Sequence, residues 1–241
     1  MQNAILWDND GVLVDTERLF FQANRDLFAD HGFELTKRDF FEWFLLDNCG
    51  GWHLFRDRGH TEGAIVEIRK DRNRRFSALL AARESLARDG MEEVVRGLAA
   101  VAPMAVVTSS SREHFDLAHR RTTFQQYFRF IVTEEDCASS KPSPEPYLVG
   151  AQRLGLSPEA CIAVEDSPRG LLAARAAGMP CVVVRSELTA DYGFEGAAAV
   201  VDSNDALIEV LNYLLGVPLS APRAKAAIFA STSTSPSKRS L

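Results

Sequence analysis

Six short, continuously apolar segments recur along the chain and predict β-strands. They read AILW at 4–7, MAVVT at 104–108, FRFIVT at 128–133, CIAVE at 161–165, CVVV at 181–184 and AAAVV at 197–201. Strands of a parallel sheet are covered on both faces, so their apolar residues need not alternate with polar ones. The pattern therefore predicts a parallel sheet that is buried on both sides.

Helix-start and helix-stop residues lie between several of these strands. Ser, Thr, Asp and Asn favour the N-cap, Pro favours the first helical position, and Gly follows the last turn. Three segments have these signals: Ser110 with Glu113 as a capping box, Ser143 and Pro144 with Gly155, and Ser167 and Pro168 with Gly178. Alternating strands and helices predict a doubly wound α/β fold of the Rossmann type.

One interval is too long for a single strand–helix–strand unit. Asp8 and Thr108 end consecutive predicted strands, yet they lie 100 positions apart. The extra segment has apolar residues at helical spacing and no good strand. We predict a discontinuous α/β core at 1–15 and 86–216, with a helical cap inserted at 16–85. The Ser/Thr/Pro-rich tail, 217–241, is predicted to be poorly ordered.

The composition is that of an ordinary soluble protein. A net charge of −6 and a pI near 5.5 argue against nucleic acid or an anionic membrane as a partner. No apolar run reaches 18 residues, and the start of the chain has no basic-then-apolar signal pattern. Four scattered cysteines without metal spacing are interpreted as reduced packing residues of a cytoplasmic protein. We expect a monomer or a weak homodimer.

Polar residues that could bind a ligand or take part in catalysis follow several predicted strands. In a parallel α/β sheet, ligands bind outside the carboxyl ends of the strands. We therefore expect one cluster there, which combines Asp8, Asp10, Thr108, Ser109, Glu165 and Asp166, with Lys141 preceding the helix before the fourth strand. The alternative for Asp8 to Gly11 is an ordinary turn, since Asp and Gly are common turn residues.

This residue mixture suits phosphoryl chemistry. Carboxylates from two strands form a hard oxygen site of the kind Mg²⁺ prefers. A divalent cation reduces the repulsion between an attacking carboxylate and a phosphate, and hydroxyls with a lysine bind the transferring group. Carboxylate nucleophiles that form aspartyl phosphates are an established form of covalent catalysis.

Four segments in order, WDNDGVLVDTE, VVTSSS, KPSPEPY and VEDSPRGLLAARAAG, resemble the motifs of the haloacid dehalogenase superfamily. The chain is similar over about residues 3–190 to the branch with a helical cap after the first motif. That branch contains phosphoglycolate phosphatase-like enzymes and β-phosphoglucomutases. The resemblance implies a Mg²⁺-dependent phosphatase that acts on a small phosphorylated metabolite.

The resemblance also implies a role for each motif residue. Asp8 would attack phosphorus, and Asp10 would protonate the leaving oxygen and then activate water. Mg²⁺ would be held by the Asp8 carboxylate, the Asp10 carbonyl and Asp166, with Glu165 adjusting the set around the ion. A second group, Thr108, Ser109 and Lys141, would bind the phosphoryl group. The dehalogenases of this superfamily lack a carboxylate at the position of Asp10. Because this chain has one, dehalogenation is not expected.

The resemblance also allows three other functions. A sugar-phosphate mutase would share the catalytic residues, but β-phosphoglucomutases usually carry a histidine where this chain has Phe20, and a Gly-x-Ser-Arg loop that is absent from 45–60. A phosphonate hydrolase would need a cap lysine that forms a Schiff base. The only lysines of the predicted cap are Lys37 and Lys70, and neither lies in a recognisable motif. A non-catalytic regulatory module of the same fold would be expected to have lost Asp8 or Asp10.

The cap offers weaker signals. The basic run at 69–75 is interpreted as a solvated helix face of which single members could still face the cleft. The aromatics Phe40, Phe41, Trp43 and Phe44 are interpreted as cap core. The loop at 47–55 is the segment expected to reach the substrate. The five histidines lack metal spacing and are interpreted as structural or surface residues. Asn9 should point away from the metal and is left out of the catalytic set. The hinge is expected at 12–16.

Overall fold

The structure, a computed structural model, describes residues 4–217. A six-stranded sheet, parallel throughout, forms its centre, in the order β3-β2-β1-β4-β5-β6. The strands are β1 Ala4–Trp7, β2 Met104–Val107, β3 Ile131–Val132, β4 Cys161–Glu165, β5 Cys181–Val184 and β6 Ala199–Val201. The observed strand order and parallel sense are those of a doubly wound sheet, and the fold-class prediction is confirmed.

Both faces of the sheet are covered. Ile5 and Trp7 of β1 join one hydrophobic core, whereas Ala4 and Leu6 join the core on the opposite face. All four residues are fully buried. This two-sided burial is the physical reason that the strand sequences are continuously apolar.

Helices surround the sheet and form the inserted segment. They are α1 Glu17–Asp30, α2 Lys37–Phe40, α3 Trp52–Asp57, α4 Glu62–Ala81, α5 Met91–Ala99, α6 Arg112–Ala118, α7 Glu145–Leu154, α8 Pro168–Ala176 and α9 Asn204–Leu214. A π-helical turn, Phe41–Leu46, continues α2. Short 3₁₀ turns lie at Phe124–Tyr127, Glu134–Asp136, Pro158–Ala160 and Glu187–Thr189.

Three predicted details were wrong by one to three residues. Helix α7 begins at Glu145 with Pro144 at its N-cap, so Ser143 is not the N-cap and Pro144 is not the first helical residue. Ser111, not Ser110, caps α6, because its hydroxyl accepts from the His114 N–H. The third strand is only Ile131–Val132, because the chain bends at Arg129 after the 3₁₀ turn Phe124–Tyr127. The Ser167 cap of α8 is confirmed, as its hydroxyl accepts from the Gly170 N–H.

The inserted helices α1 to α4 have a hydrophobic cluster of their own, rich in aromatic rings. Its fully buried members include Phe28, Phe40 and Phe55. Edge-to-face contacts join Phe28 to Phe55 with centroids 5.2 Å apart, and such pairs add stability beyond area burial. Of the four aromatics interpreted as cap core, Phe40 and Phe44 are buried, while Phe41 and Trp43 pack at its edge.

Some predictions fall on the chain ends. Residues 218–241, most of the predicted tail, lie outside the described residues. Among the helices of residues 4–217, none is both long and apolar enough to span a bilayer. Cys161 and Cys181 are buried in strands as the packing interpretation requires, but that interpretation is wrong for Cys49, which is exposed.

Candidate active site

The carboxyl edge of the sheet brings the predicted residues together. β1 pairs with β2 on one side and with β4 on the other, all in parallel. Asp8 follows β1, Thr108 follows β2, and Glu165 ends β4 with Asp166 next in the chain. Adjacent parallel strands end at the same edge, so residues about 100 and 160 positions apart become neighbours.

Lys141 forms the centre of this cluster. Its Nζ donates to Asp8 Oδ1 at 2.6 Å, to Glu165 Oε1 at 2.6 Å and to the Val107 carbonyl at 2.9 Å. Three acceptors satisfy the three N–H bonds of an ammonium that is only 2% exposed. Burial alone would lower the pKa of Lys141, but the charges of Asp8 and Glu165 raise it above its usual value, so the lysine is charged.

Glu165 is oriented by several donors. Its Oε1 accepts from the Tyr147 hydroxyl at 2.6 Å as well as from Lys141, and its Oε2 accepts from the Ser167 hydroxyl and the Asp166 N–H at 3.3 Å. Glu165 is fully buried. Burial and the neighbouring Glu165 charge raise the pKa of Tyr147 well above its usual value, so Tyr147 remains a donor.

Three buried carboxylates could hold a metal ion. One oxygen each from Asp8, Glu165 and Asp166 lies within 4.8 Å of the others. Asp166 Oδ2 is buried without a hydrogen-bond partner among the described residues. Burial and the charge of Glu165 raise the pKa of Asp8 to about 7, with Lys141 opposing them. Burial, with the Glu17 and Asp8 charges, raises the pKa of Asp166 well above its usual value.

The charges at this point are unbalanced. Three carboxylates face one ammonium, so the fully ionised cluster lacks two positive charges. A divalent cation would supply that charge, and an all-oxygen donor set is the type that Mg²⁺ prefers. The residues present therefore fit Mg²⁺. Glu165 already accepts from four donors, which leaves Asp8 and Asp166 as the carboxylates with free capacity.

Asp10 is bound by hydroxyl groups rather than by the acidic cluster. Its Oδ1 accepts from Thr16 at 2.5 Å, and its Oδ2 accepts from Thr108 at 3.1 Å and from Ser110 at 2.8 Å. Ser110 was interpreted as a helix cap only, and that interpretation is wrong because its side chain orients Asp10. The metal ligand expected from Asp10 is its backbone carbonyl oxygen. The hydroxyl groups bind only the Asp10 carboxylate, so they do not compete with a metal for that carbonyl.

Ser109 provides a donor with no other use. Its hydroxyl is buried, lines the cavity and has no hydrogen-bond partner within residues 4–217. Thr108 differs, because its hydroxyl donates to Asp10 and accepts from the Ser110 N–H at 3.0 Å. Of the predicted phosphoryl-binding residues, Ser109 and Lys141 line the cavity.

The turn after β1 depends on Gly11. Its φ is +77°, and a Cβ at this position would lie 1.8 Å from Asp166 Oδ2. A side chain here would therefore displace the carboxylate. Asn9 points away from the cluster, as predicted, and its Oδ1 lies 2.6 Å from Nε2 of the buried His119. Burial lowers the pKa of His119 to about 4, so this imidazole is neutral.

A cavity of about 420 Å³ lies above the cluster, between the α/β core and the inserted helices. We call its two linings the core wall and the cap wall. The core wall includes Asp8, Asp10, Ser109, Ser110, Lys141 and Asp166. The cap wall includes Phe20, Phe44, Asn48, Trp52, Arg69 and Arg72.

The loop expected to reach the substrate lies on the cap wall, and the structure confirms that it faces the cavity. Asn48 has a left-handed backbone, with φ of +52°. Its amide donates to the Lys141 carbonyl at 2.9 Å and accepts from Arg169 at 2.8 Å. Cys49 also lines the cavity. One polar side chain of the cap thus binds two residues of the core.

The basic run of α4 is divided between the solvent and the cavity. Arg69 and Arg72 are the single members that line the cavity. His114 also lines the cavity and has a structural contact, with Nε2 3.1 Å from the Ser77 hydroxyl of α4. Its pKa is lowered by burial, with the Arg72 charge acting in the same direction.

Comparison with known families decides the wider assignment. The sequence model of the family described as haloacid dehalogenase-like hydrolase matches residues 5–184. The chain belongs to the haloacid dehalogenase-like hydrolases. The resemblance inferred from the four motifs is therefore confirmed.

Proteins similar in sequence to this chain include phosphatases and CbbY proteins. Protein CbbY of Rhodobacter capsulatus is 32% identical over 206 residues, which are 80% of this chain and 90% of that protein. Fructose-1-phosphate phosphatase YqaB of Escherichia coli is 29% identical over 190 residues, 76% of this chain and 96% of that protein. These relatives support a phosphatase of the family.

Solved structures of a CbbY protein have a fold similar to that of this chain. CbbY from Rhodobacter sphaeroides in complex with phosphate has a TM-score of 0.71 and 31% identity, and covers 86% of this chain and 96% of that chain. A mutant of the same protein, in complex with xylulose-(1,5)bisphosphate, has a TM-score of 0.70 and 31% identity, covering 85% and 95%.

Several site residues were missed in the sequence. Tyr147 was not singled out, although it lies on the helix that begins soon after Lys141. Glu17 was taken only as part of the motif, yet it is buried beside Asp166, and burial raises its pKa to about 7 against opposing hydrogen bonds with Asp166 and Ser186. Asn48 gave no local signal beyond its place in the Gly-rich loop.

Proposed function

We propose that this chain is a Mg²⁺-dependent phosphatase that hydrolyses a small phosphorylated sugar through an aspartyl phosphate on Asp8. The observation that supports it most is the pairing of Asp8 with Asp10 at one strand end. Lys141 binds the first carboxylate, and three hydroxyls bind the second. Two carboxylates in such different surroundings suit two different roles.

Asp8 is assigned as the nucleophile. Its Oδ1 accepts from Lys141 Nζ at 2.6 Å, so Oδ2 is the oxygen assigned to attack phosphorus. The lysine charge favours the ionised, nucleophilic form of Asp8 against the burial that raises its pKa, and the fixed position of the carboxylate saves the orientational entropy of attack. The Ser109 hydroxyl, which has no other partner among the described residues, would donate to a phosphoryl oxygen, and the charge of Lys141 would stabilise the negative charge that develops on that group.

Asp10 is assigned as the general acid and base. It would protonate the departing sugar oxygen and then take a proton from the water that hydrolyses the aspartyl phosphate. The hydroxyls of Thr16, Thr108 and Ser110 fix its two oxygens, and Thr108 is assigned to orient Asp10 as well as to contact the phosphoryl group.

Asp8, Asp166 and the Asp10 carbonyl would hold Mg²⁺, and Glu165 would orient Lys141 beside them. The ion would neutralise charge on the phosphoryl group and the carboxylates. In our proposal residues 16–85 act as a cap that closes the cavity and excludes water during attack. A cytoplasmic monomer or weak homodimer remains our prediction for its state in the cell.

A sugar substrate is supported by the relatives named for fructose 1-phosphate and bound to xylulose bisphosphate. The cavity also places polar side chains beside aromatic ones, which suits a hydroxylated ligand. The mutase alternative has less support. Phe20 occupies the position of the expected histidine and packs edge-on against Phe40, Phe44 and Phe76, so it offers no group for proton transfer.

Phosphate release from p-nitrophenyl phosphate and a panel of sugar phosphates tests the proposal. We expect Asp8→Asn to reduce turnover by a factor on the order of 10⁴ or more, because the nucleophile is lost. Excess EDTA should abolish wild-type turnover, and Mg²⁺ should restore it. Circular dichroism checks that the variant is folded.

The matched control is Asp205→Asn, the same substitution at an exposed position in α9. It should retain turnover within about twofold. Activity that persists in EDTA would contradict the metal assignment. Conversion of β-glucose 1-phosphate to glucose 6-phosphate faster than phosphate release would replace the phosphatase with a mutase.

A further inference from the structure

The cations of α4 fall into two groups. Lys70, Arg74 and Arg75 form ion pairs on the outer surface, with Glu67, with Asp71, and with Asp30 and Asp71, respectively. Arg69 and Arg72 lie on the other side of the helix and line the cavity. Within residues 4–217, neither has a carboxylate oxygen within 4.0 Å. The cavity-facing cations are the ones without an acidic partner.

Aromatic rings hold both guanidinium groups in place. Arg69 lies over Trp52, with its Cζ 4.8 Å from the ring centroid, and Arg72 lies over Phe20 at 4.6 Å. Arg72 Nε donates to Asn73 Oδ1 at 2.7 Å, and its two terminal nitrogens form no hydrogen bond within residues 4–217. A stacked, anchored guanidinium with free terminal N–H groups is prepared for a bidentate acceptor.

The arrangement is unfavourable without a ligand. Two like charges lie beside apolar rings, and Arg72, the more buried of the two, has lost more of its water than the exposed Arg69. Burial, followed by the Arg69 charge, lowers the pKa of Arg72 to about 10, with Glu134 opposing them. Burial also lowers the pKa of Arg69. A group with multiple negative charges would relieve both the repulsion and the lost hydration.

We propose that Arg69 and Arg72 bind a second phosphate of the substrate, so that the preferred substrates are sugar bisphosphates. The inference rests on the proposed function, since it names the substrate class of the same cavity. The phosphate to be cleaved is assigned to Asp8, Ser109 and Lys141 on the core wall. The second phosphate would bind at the cap wall, with the sugar between them.

Phosphate is favoured over a carboxylate because of charge and geometry. The pair supplies two positive charges, which match a phosphate dianion better than a single carboxylate charge. The planar fork of a guanidinium also binds two phosphate oxygens at once. Binding at the cap would further stabilise the closed cavity, because Arg72 and its aromatic neighbours move with the cap.

Matched substrate pairs test this. Wild-type enzyme is assayed with fructose 1,6-bisphosphate against fructose 1-phosphate and fructose 6-phosphate, and with ribulose 1,5-bisphosphate against ribulose 5-phosphate. We expect the KM of at least one bisphosphate to be about 10- to 100-fold below that of its monophosphates, as loss of charge-assisted hydrogen bonds implies. The kcat on p-nitrophenyl phosphate measures the chemistry independently.

Arg72→Met and Arg69→Met should each raise the KM of the preferred bisphosphate by about 10- to 100-fold, while kcat on p-nitrophenyl phosphate stays within about threefold. Methionine keeps the apolar contact with Trp52 and Phe20 but removes the charge. Arg74→Met, on the paired outer side of α4, is the control and should leave both quantities unchanged. Calorimetric titration of bisphosphate into Asp8→Asn, with and without Arg72→Met, gives binding without turnover.

The outcomes separate the two proposals. Hydrolysis of p-nitrophenyl phosphate and monophosphates without any preference for bisphosphates would overturn the inference and leave the phosphatase intact. Unchanged bisphosphate KM in both arginine variants would also overturn it, as would a preference for 3-phosphoglycerate over the bisphosphates. Absence of phosphate release from every phosphomonoester would overturn the proposed function, while the calorimetric arm would still measure the arginine contribution.

Discussion

The two walls of the cavity are built on opposite principles. On the core wall, ionised groups pair with one another: Lys141 joins Asp8 to Glu165, and hydroxyls fix Asp10. On the cap wall, Arg69 and Arg72 rest on aromatic rings and have no acidic partner within the described chain. A network that is complete except for a metal and a phosphoryl group suits a fixed reaction. Unpaired cations suit selection among ligands.

The largest effect should come from breaking the core network. Lys141→Met leaves Asp8 and Glu165 buried without their shared cation, and removing one partner of a buried pair costs about 3–5 kcal/mol. We expect that loss of unfolding free energy in urea denaturation, together with loss of phosphatase activity. Arg153→Met, which breaks an ion pair with Asp136 whose side chains are 40% and 24% exposed, should cost about 1 kcal/mol or less. Equal losses would mean that the core network is no stronger than a surface pair.

Next comes the packing behind the core wall. Burial lowers the pKa of His119 from 6.5 to about 4, so the folded state disfavours its protonation. Its contribution is therefore present above pH 6.5 and lost as the pH falls towards 4, by about 3 kcal/mol in total. His119→Gln keeps a polar partner for Asn9 without titrating. Urea denaturation from pH 7 to 4 should show the wild type losing that much more stability than the variant; parallel curves would contradict the assignment.

A smaller, local change at the core wall is Gly11→Ala. The new Cβ would collide with Asp166, which should misplace the metal ligand, lower kcat about 100-fold and raise the Mg²⁺ concentration needed. Gly155→Ala is the control, because its φ is +70° but no atom lies within 4 Å of its Cβ position. Both glycines have a positive φ, so both variants place a Cβ in the left-handed region. Equal activity in the two would remove the role of the Asp166 contact. Activity titrated against Mg²⁺ measures the difference.

The smallest effect should be at the contact between the walls. Asn48→Gly keeps the left-handed backbone, since Gly adopts it freely, but removes the hydrogen bonds to Lys141 and Arg169. The closed cap should be destabilised, and the KM of the preferred sugar phosphate should rise about two- to tenfold with little change in kcat. The control is Asn204→Ala. Asn204 does not line the cavity, and its amide donates to the Asp89 carbonyl. Equal KM values in both variants would mean that Asn48 does not hold the cap.

The core wall was predictable because its residues are adjacent to strand ends. Once the sheet is parallel, Asp8, Thr108 and Asp166 must share an edge, whatever the loops do. The single error among the three serines, where Ser110 rather than Ser111 was assigned as the cap, arose because both positions precede the same helix. A shift of one residue changes which hydroxyl points at Asp10.

The cap wall was not predictable to the same degree. Arg69 and Arg72 were interpreted by counting charges, which scatters them around a helix. Their spacing from Ile65 and Phe76, both buried, places them beside the apolar stripe of α4 instead. That spacing was available in the sequence, but which face of α4 meets the cavity depends on how the inserted helices pack. Asn48 depends in the same way on the position of the cap relative to Lys141.

The central place of β1 in the sheet has a consequence for synthesis. Ala4 of β1 pairs with Cys161 of β4, so this strand cannot be flanked on both sides until some 157 further residues have been translated, a difference of 161 − 4. At about 5–20 residues per second this takes roughly 8–30 s. The inserted helices, whose aromatic contacts join residues close in sequence, emerge during that time. On the ribosome, the part that chooses the ligand can therefore be assembled before the nucleophile has its neighbours.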